Sequence, residues 1–186
     1  GIVRVSANAD FGGLRIGKIG RSQPNLDFLR HNVPGFKPAR VLDVGASRGA
    51  FIEKFRQWLP DSKIIAIESD ESLNPHPAAD YWWSNRLIGT EDWFGSPFDL
   101  IYMSHTLEHL DNPLFNLFSL RDTLKPTSGW LLVEVPNIRG LLGILDVVEE
   151  VCLDKHNVHF SLNTFRKMLG LAGFRPVYYQ ADTENI

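Results

Sequence analysis

The stretch Val41-Leu-Asp-Val-Gly-Ala-Ser-Arg-Gly-Ala-Phe51 constrains the fold of this chain more than any other. Val41 to Val44 is a short apolar run carrying one acid, Asp43. It breaks into Gly45-Ala46-Ser47-Arg48-Gly49 and resumes as an amphipathic segment from Ala50 to Leu59. That order reads as strand, tight glycine turn, helix. Gly45 permits a sharp turn and a close backbone approach, and Gly49 lets the helix start against the strand. The amides at such a helix start are unpaired donors with a partial positive charge, suited to an anion. Asp43, inside an apolar strand, needs partners of its own, and the turn amides are the expected ones.

Ile64-Ile-Ala-Ile-Glu68 follows as a second strand ending in an acid. In open α/β sheets ligands sit at the carboxyl edge of the strands, so Glu68 is expected beside the glycine turn. Alternating strand and helix signals along the chain predict a parallel, doubly wound sheet with right-handed crossovers. A short helix is expected at Pro24–His31, opened by its proline. Further strands are expected at Arg86–Gly89, Phe98–Met103, Gly129–Val135 and Phe174–Gln180, with helices at Pro113–Leu124, 140–153 and Thr164–Leu171, the last capped by Asn163. At 186 residues one domain is the natural count. Residues 1–24 read as a weakly structured, locally basic arm (Arg4, Arg15, Lys18, Arg21) in which Ile2–Val5 offers a short strand, and 25–186 as the domain proper.

Net charge of −3 leaves no broad electrostatic footprint for nucleic acid or an anionic membrane. Cys152 is the single cysteine, which excludes an intrachain disulfide and fits a reducing compartment. No apolar run reaches transmembrane length and no signal-peptide core precedes the domain, so the expected location is cytoplasmic. Gly1 in place of methionine points to a trimmed chain or a fragment.

The turn is Asp-x-Gly-x-x-x-Gly, not the dinucleotide fingerprint Gly-x-Gly-x-x-Gly. Together with Glu68 it resembles the first motif and post-strand-2 acid of class I S-adenosylmethionine (SAM)-dependent methyltransferases. The resemblance runs from about residue 40 to 180. Phe98-Asp-Leu-Ile-Tyr-Met-Ser-His-Thr-Leu-Glu-His-Leu-Asp-Asn-Pro113 is similar to the strand-4 segment of the type 11 and type 23 methyltransferases. His159-Phe-Ser-Leu-Asn-Thr-Phe165 and Leu169-Gly-Leu-Ala-Gly-Phe174 strengthen the type 23 likeness.

The likeness implies a Rossmann-like sheet and places Asp43, Gly45, Ala46, Ser47, Gly49 and Ser104 around the methionyl end of SAM. It also implies Glu68 and Ser69 at the ribose and Asp92 at adenine, with Trp93 either stacking there or packing under a loop. The family sheet closes with a final antiparallel strand. Here that strand lies beyond the chain or the sheet is one strand short.

The implied activity is methyl transfer from SAM, leaving S-adenosylhomocysteine (SAH), to a small-molecule, glycan or lipid-intermediate acceptor at oxygen. Such an acceptor needs alignment and a base, for which His105, His109, His156 and His159 are candidates, with His105, His109 and His159 foremost. On a helical turn His105, Glu108 and His109 would share one face. His-x-x-Glu-His resembles the Glu-x-x-Glu-His of metal-dependent small-RNA and ubiquinone-pathway methyltransferases. A metal held by His105, Glu108, His109 and a later histidine, His159 or His156, is therefore an alternative, favouring a softer ion than Mg²⁺. Metal-assisted RNA methylation and a non-catalytic scaffold are the rival functions. Residues 137–160 carry more apolar positions than one helical stripe needs, which suggests an acceptor lid, a homodimer contact or a plain buried helix.

Overall fold

The computed structural model of the chain describes residues 2–6, 21–84, 97–136 and 156–181. In chain order the elements are β1 (Ile2–Ser6), α1 (Ser22–Asn32), β2 (Arg40–Val44), α2 (Ala50–Trp58), β3 (Lys63–Glu68) and β4 (Tyr81–Ser84). They continue with β5 (Leu100–Ser104), a 3-10 turn (Leu107–His109), α3 (Pro113–Thr123), β6 (Trp130–Pro136), α4 (Leu162–Leu171) and β7 (Tyr178–Ala181). The strands form one seven-stranded sheet in the order β4-β3-β2-β5-β6-β1-β7, with every pairing parallel. This is the expected doubly wound, Rossmann-like α/β sheet.

Both faces are covered, as an all-parallel sheet requires. Successive residues of the central strands alternate between two cores. Leu42, Ile65, Ile67, Ile101, Met103, Leu131 and Val133 face the side closed by α3 and α4. Val41, Ile64, Ala66, Leu100, Tyr102 and Leu132 face α1 and α2. A continuous apolar run with a period of two is thus divided between two helical layers. Truncating one of its fully buried residues, such as Ile65 or Ile101, to alanine would cost about 2–5 kcal/mol.

Two expectations need correction, and two concern residues that are not described. Ile2–Ser6 forms the short strand, but as an interior one, paired Ile2 to Leu132 on one side and Ile2 to Tyr178 on the other, not as part of a weakly structured arm. The strand next to β3 is Tyr81–Ser84; the expected Arg86–Gly89 lies outside the described residues. Helix α4 is capped by Ser161, not Asn163: the Ser161 hydroxyl accepts from the Thr164 amide at 3.2 Å, and the Thr164 hydroxyl accepts from the Ser161 amide at 2.9 Å. Finally, the expected helix at 140–153 lies outside the described residues.

Candidate functional site

The carboxyl ends of β2, β3, β5 and β6 meet at one edge of the sheet, and the glycine turn rises from the first of them. Gly45 and Gly49 have φ of 75°, and Ser47 has φ of 50°. A Cβ on Gly45 would lie 2.1 Å from the Thr106 hydroxyl, so the space above the turn is taken. Thr106 in turn donates to the carbonyl of Val44 at 3.1 Å, tying the loop after β5 to the end of β2. Sequence reasoning missed Thr106; only its place two residues beyond Ser104 hinted at it.

Four amides of the turn itself are paired within the protein. Gly45 and Ala46 donate to the Ile67 carbonyl at 2.9 and 3.0 Å, and Gly49 donates to the Ala46 carbonyl at 2.8 Å. The anion that the turn does meet is internal: the Ser47 amide donates to Glu68 Oε2 at 2.6 Å. Glu68 Oε1 accepts from the Asp70 amide at 2.9 Å and faces the Ser69 hydroxyl at 3.4 Å. At 7% exposure, Glu68 is a carboxylate fixed by backbone donors at the mouth of the turn. A carboxylate has about four lone-pair sites, so it retains acceptor capacity for a further hydroxyl.

Asp43 behaves differently from the expectation that it would bond the turn amides. It is 1% exposed, and its Oδ2 has no hydrogen-bond partner. Burial, reinforced by the neighbouring Glu68 charge, pushes its carboxyl up to about 8, so it is mostly protonated at neutral pH. Arg48 is solvent-exposed, as its sequence context suggests.

A second buried polar group lies on the α1–α2 side of the same edge. Asn25 Nδ2 donates to Glu134 Oε2 at 2.7 Å and to the Tyr102 hydroxyl at 2.9 Å. The Ser104 hydroxyl donates to the same Glu134 oxygen at 2.7 Å. Burial drives the Tyr102 hydroxyl well above its ordinary range, so it stays protonated. Phe51 of α2 stacks on the Tyr102 ring at 3.6 Å. Neither Asn25 nor Glu134 was foreseen, although Glu134 shows the signal that marked Asp43, a lone acid within an apolar strand.

Beyond Ser104 the chain turns sharply. His105 adopts φ of 51°, a region that costs a side-chain-bearing residue about 1–3 kcal/mol, and its amide is held by the Glu134 carbonyl at 3.0 Å. His105 precedes the 3-10 turn instead of sharing a helical face with Glu108 and His109, yet its Nδ1 still comes within 3.3 Å of Glu108 Oε1. Glu108 is 1% exposed. The ring centroids of His109 and His156 are 4.7 Å apart, and those of His156 and His159 are 6.0 Å apart. Burial holds His156 below its ordinary range, and Glu108 acts against that shift.

The structure therefore gathers the base candidates, with His156 and not His159 nearest His109. Asp92 and Trp93, expected at an adenine, lie outside the described residues, as do 137–155 of the expected lid or subunit contact. Among the described residues no helix is long and apolar enough to cross a membrane.

The chain and its fold have counterparts among known proteins. The profile of a family described as a methyltransferase domain (type 23) matches residues 20–179. Among solved structures, the plantazolicin methyltransferase BpumL, crystallised with a pentazolic desmethylPZN analog and SAH, superimposes with a TM-score of 0.64. Its identity is 19%, over 80% of this chain and 60% of that one. A putative methyltransferase from Bacillus halodurans gives a TM-score of 0.61 at 19% identity, covering 82% of this chain and 69% of the other. A putative O-methyltransferase from Nostoc punctiforme gives 0.62 at 20% identity, covering 83% and 50%. The chain spans about 60% of the length of the first of these, and at such identities the likeness establishes the fold.

Proposed function

We infer the activity from family membership: the chain belongs to the methyltransferase-domain family, whose profile spans residues 20–179, and is a SAM-dependent methyltransferase. We further propose that it methylates an oxygen of a small-molecule, glycan or lipid-intermediate acceptor. The observation that carries the reading is Glu68, a buried carboxylate oriented by the Ser47 and Asp70 amides at the mouth of the glycine turn. Its remaining lone pairs suit the two hydroxyls of a ribose. The Gly45 backbone, which Thr106 leaves no room to substitute, would give the methionyl end a close approach. Ser104, and Asp43 beneath the turn, would complete that end.

When bound, SAM supplies an electrophilic methyl group on a sulfonium, which is already a good leaving group. The protein's part is alignment, exclusion of water and removal of a proton from the acceptor. His105, His109 and His159, with His156 among them, lie on the turn after β5 and on the segment docked against it, so an acceptor hydroxyl at this edge has a base within reach. The Nostoc neighbour, titled a putative O-methyltransferase, and the BpumL complex with a pentazolic desmethylPZN analog agree with a small-molecule acceptor methylated at oxygen.

The test is turnover with methyl-labelled SAM across a panel of hydroxylated acceptors, with the methylated atom located by NMR. Oxygen methylation that is lost in His109→Ala, with SAM affinity retained, supports the proposal. A label found only on nitrogen or carbon overturns the oxygen assignment.

A further inference from the structure

We propose that Glu108, His109 and His156 bind a divalent transition-metal ion. Their ligand atoms all lie within 4.8 Å of one another, across two segments far apart in sequence. Ligands on a single zinc-sized ion, each about 2.0–2.1 Å from it, stand about 3.3–4.2 Å apart, so small side-chain rotations close the set. Of the expected ligands, Glu108, His109 and the later histidine His156 come together in this way.

Three further observations point to a cation. Glu108 is 1% exposed, and apart from the 3.3 Å approach of His105 Nδ1 neither of its carboxylate oxygens is hydrogen-bonded. An ionised carboxylate buried in that state is costly unless a positive charge meets it. His156 Nδ1 and His105 Nε2 are likewise buried without hydrogen-bond partners. Each neutral imidazole has a lone pair that can serve as a ligand.

The two segments are also fastened to one another independently of any ion. The Val158 amide donates to the Glu108 carbonyl at 3.1 Å, and Asn157 Nδ2 donates to the His109 carbonyl at 2.8 Å and to Asp111 Oδ1 at 3.1 Å. Phe160 anchors the second segment in the core. The backbone on both sides of the trio is therefore set before an ion arrives, as outer-shell contacts do in metal sites.

Two imidazoles and one carboxylate suit Zn²⁺, Co²⁺, Mn²⁺ or Fe²⁺ and are a poor match for Mg²⁺, which prefers oxygen ligands and keeps its waters. Three protein ligands leave at least one open coordination position, the arrangement of catalytic and not structural sites. A hydroxyl bound there loses its proton more readily, and the ion would then take over work otherwise given to a histidine base. That consequence rests on the proposed oxygen transfer; the binding itself does not.

The experiment uses tag-free, chelator-treated protein titrated with Co²⁺, followed by visible absorption, and with Zn²⁺ by calorimetry. One equivalent per chain is expected, with the absorption of a low-symmetry, nitrogen-ligated Co²⁺ centre. His156→Ala, at a partly exposed position, and Glu108→Gln should each weaken binding at least tenfold, with folding checked by circular dichroism. If Glu108→Gln does not fold, His156→Ala carries the test. Absence of stoichiometric binding by the folded wild type, or unchanged affinity in folded His156→Ala, overturns the site. It would leave these side chains as a histidine cluster balancing Glu108. SAM affinity is measured on the same samples, so loss of the metal site and failure of the methyltransferase reading remain distinct.

Discussion

Asp43 and Glu68 occupy neighbouring strands at the same edge, and their surroundings push them in different directions. Glu68 receives backbone donors from Ser47 and Asp70. The turn amides that might have served Asp43 go instead to the Ile67 carbonyl. With burial as the larger cause and Glu68 as the second, Asp43 is raised from 3.8 to about 8. The folded state therefore holds a proton that the unfolded chain gives up near pH 4. Asp43 then opposes folding progressively as pH rises from about 4 to about 8, with no further loss above that. Its contribution to the slope is at most about 1.4 kcal/mol per pH unit. Asp43→Asn should flatten the pH dependence of stability over this interval and be more stable than wild type at pH 8. Urea unfolding at pH 5 and pH 8 measures it. Equal slopes in the two proteins would mean that Asp43 is ionised in the fold.

At the scale of elements, what the sequence made legible was whatever local chemistry dictates. β2, the glycine turn and α2 follow from Val41–Val44, Gly45, Gly49 and the amphipathic segment after them, and they stand where the reading put them. β3, β5 and β6 were equally clear, because four consecutive apolar residues between turn signals leave few alternatives, and α3 was clear from Pro113 at its first turn and the helical spacing of Leu114, Leu117 and Phe118. β1 was not legible as an interior strand, since five residues with no helix signal say nothing about which strands will pair with them. The Tyr81-Trp-Trp run carries no strand expectation because it is short and follows a polar, proline-containing stretch, and its pairing to β3 is a long-range fact. The Asn25–Glu134 contact and the approach of His156 to His109 share that difficulty. Each joins segments far apart in the chain.

The α4 cap was misread by two residues for a simpler reason: Ser161 and Asn163 are both good N-caps, and the Thr164 side chain decides between them. Ser161→Ala should lower stability by about 1 kcal/mol, and Asn163→Ala, at an exposed position inside the helix, should change it little. Thermal melts of the two variants give the comparison, and the reverse order would place the cap at Asn163.

For the molecule as a whole, a single edge collects the chemistry. The sheet presents the ends of β2, β3, β5 and β6 together, so the glycine turn, Glu68, Ser104 and the histidine turn become neighbours although they are spread from residue 45 to residue 159. Asn25, Tyr102 and Glu134 brace that edge from the α1–α2 layer, while Phe160 fixes the His156–His159 segment from the opposite layer. On this account the fold brings a cofactor-binding turn and a base-rich turn to one place, and the acceptor meets both. The scaffold alternative predicts the same architecture without cofactor affinity. Titration calorimetry with SAM and SAH, on wild type and Glu68→Ala, separates the two directly. The account predicts one ligand per wild-type chain, and for folded Glu68→Ala a loss of about 1–3 kcal/mol, or roughly 5- to 150-fold in affinity. No binding by folded wild type, or undiminished binding by Glu68→Ala, would contradict it.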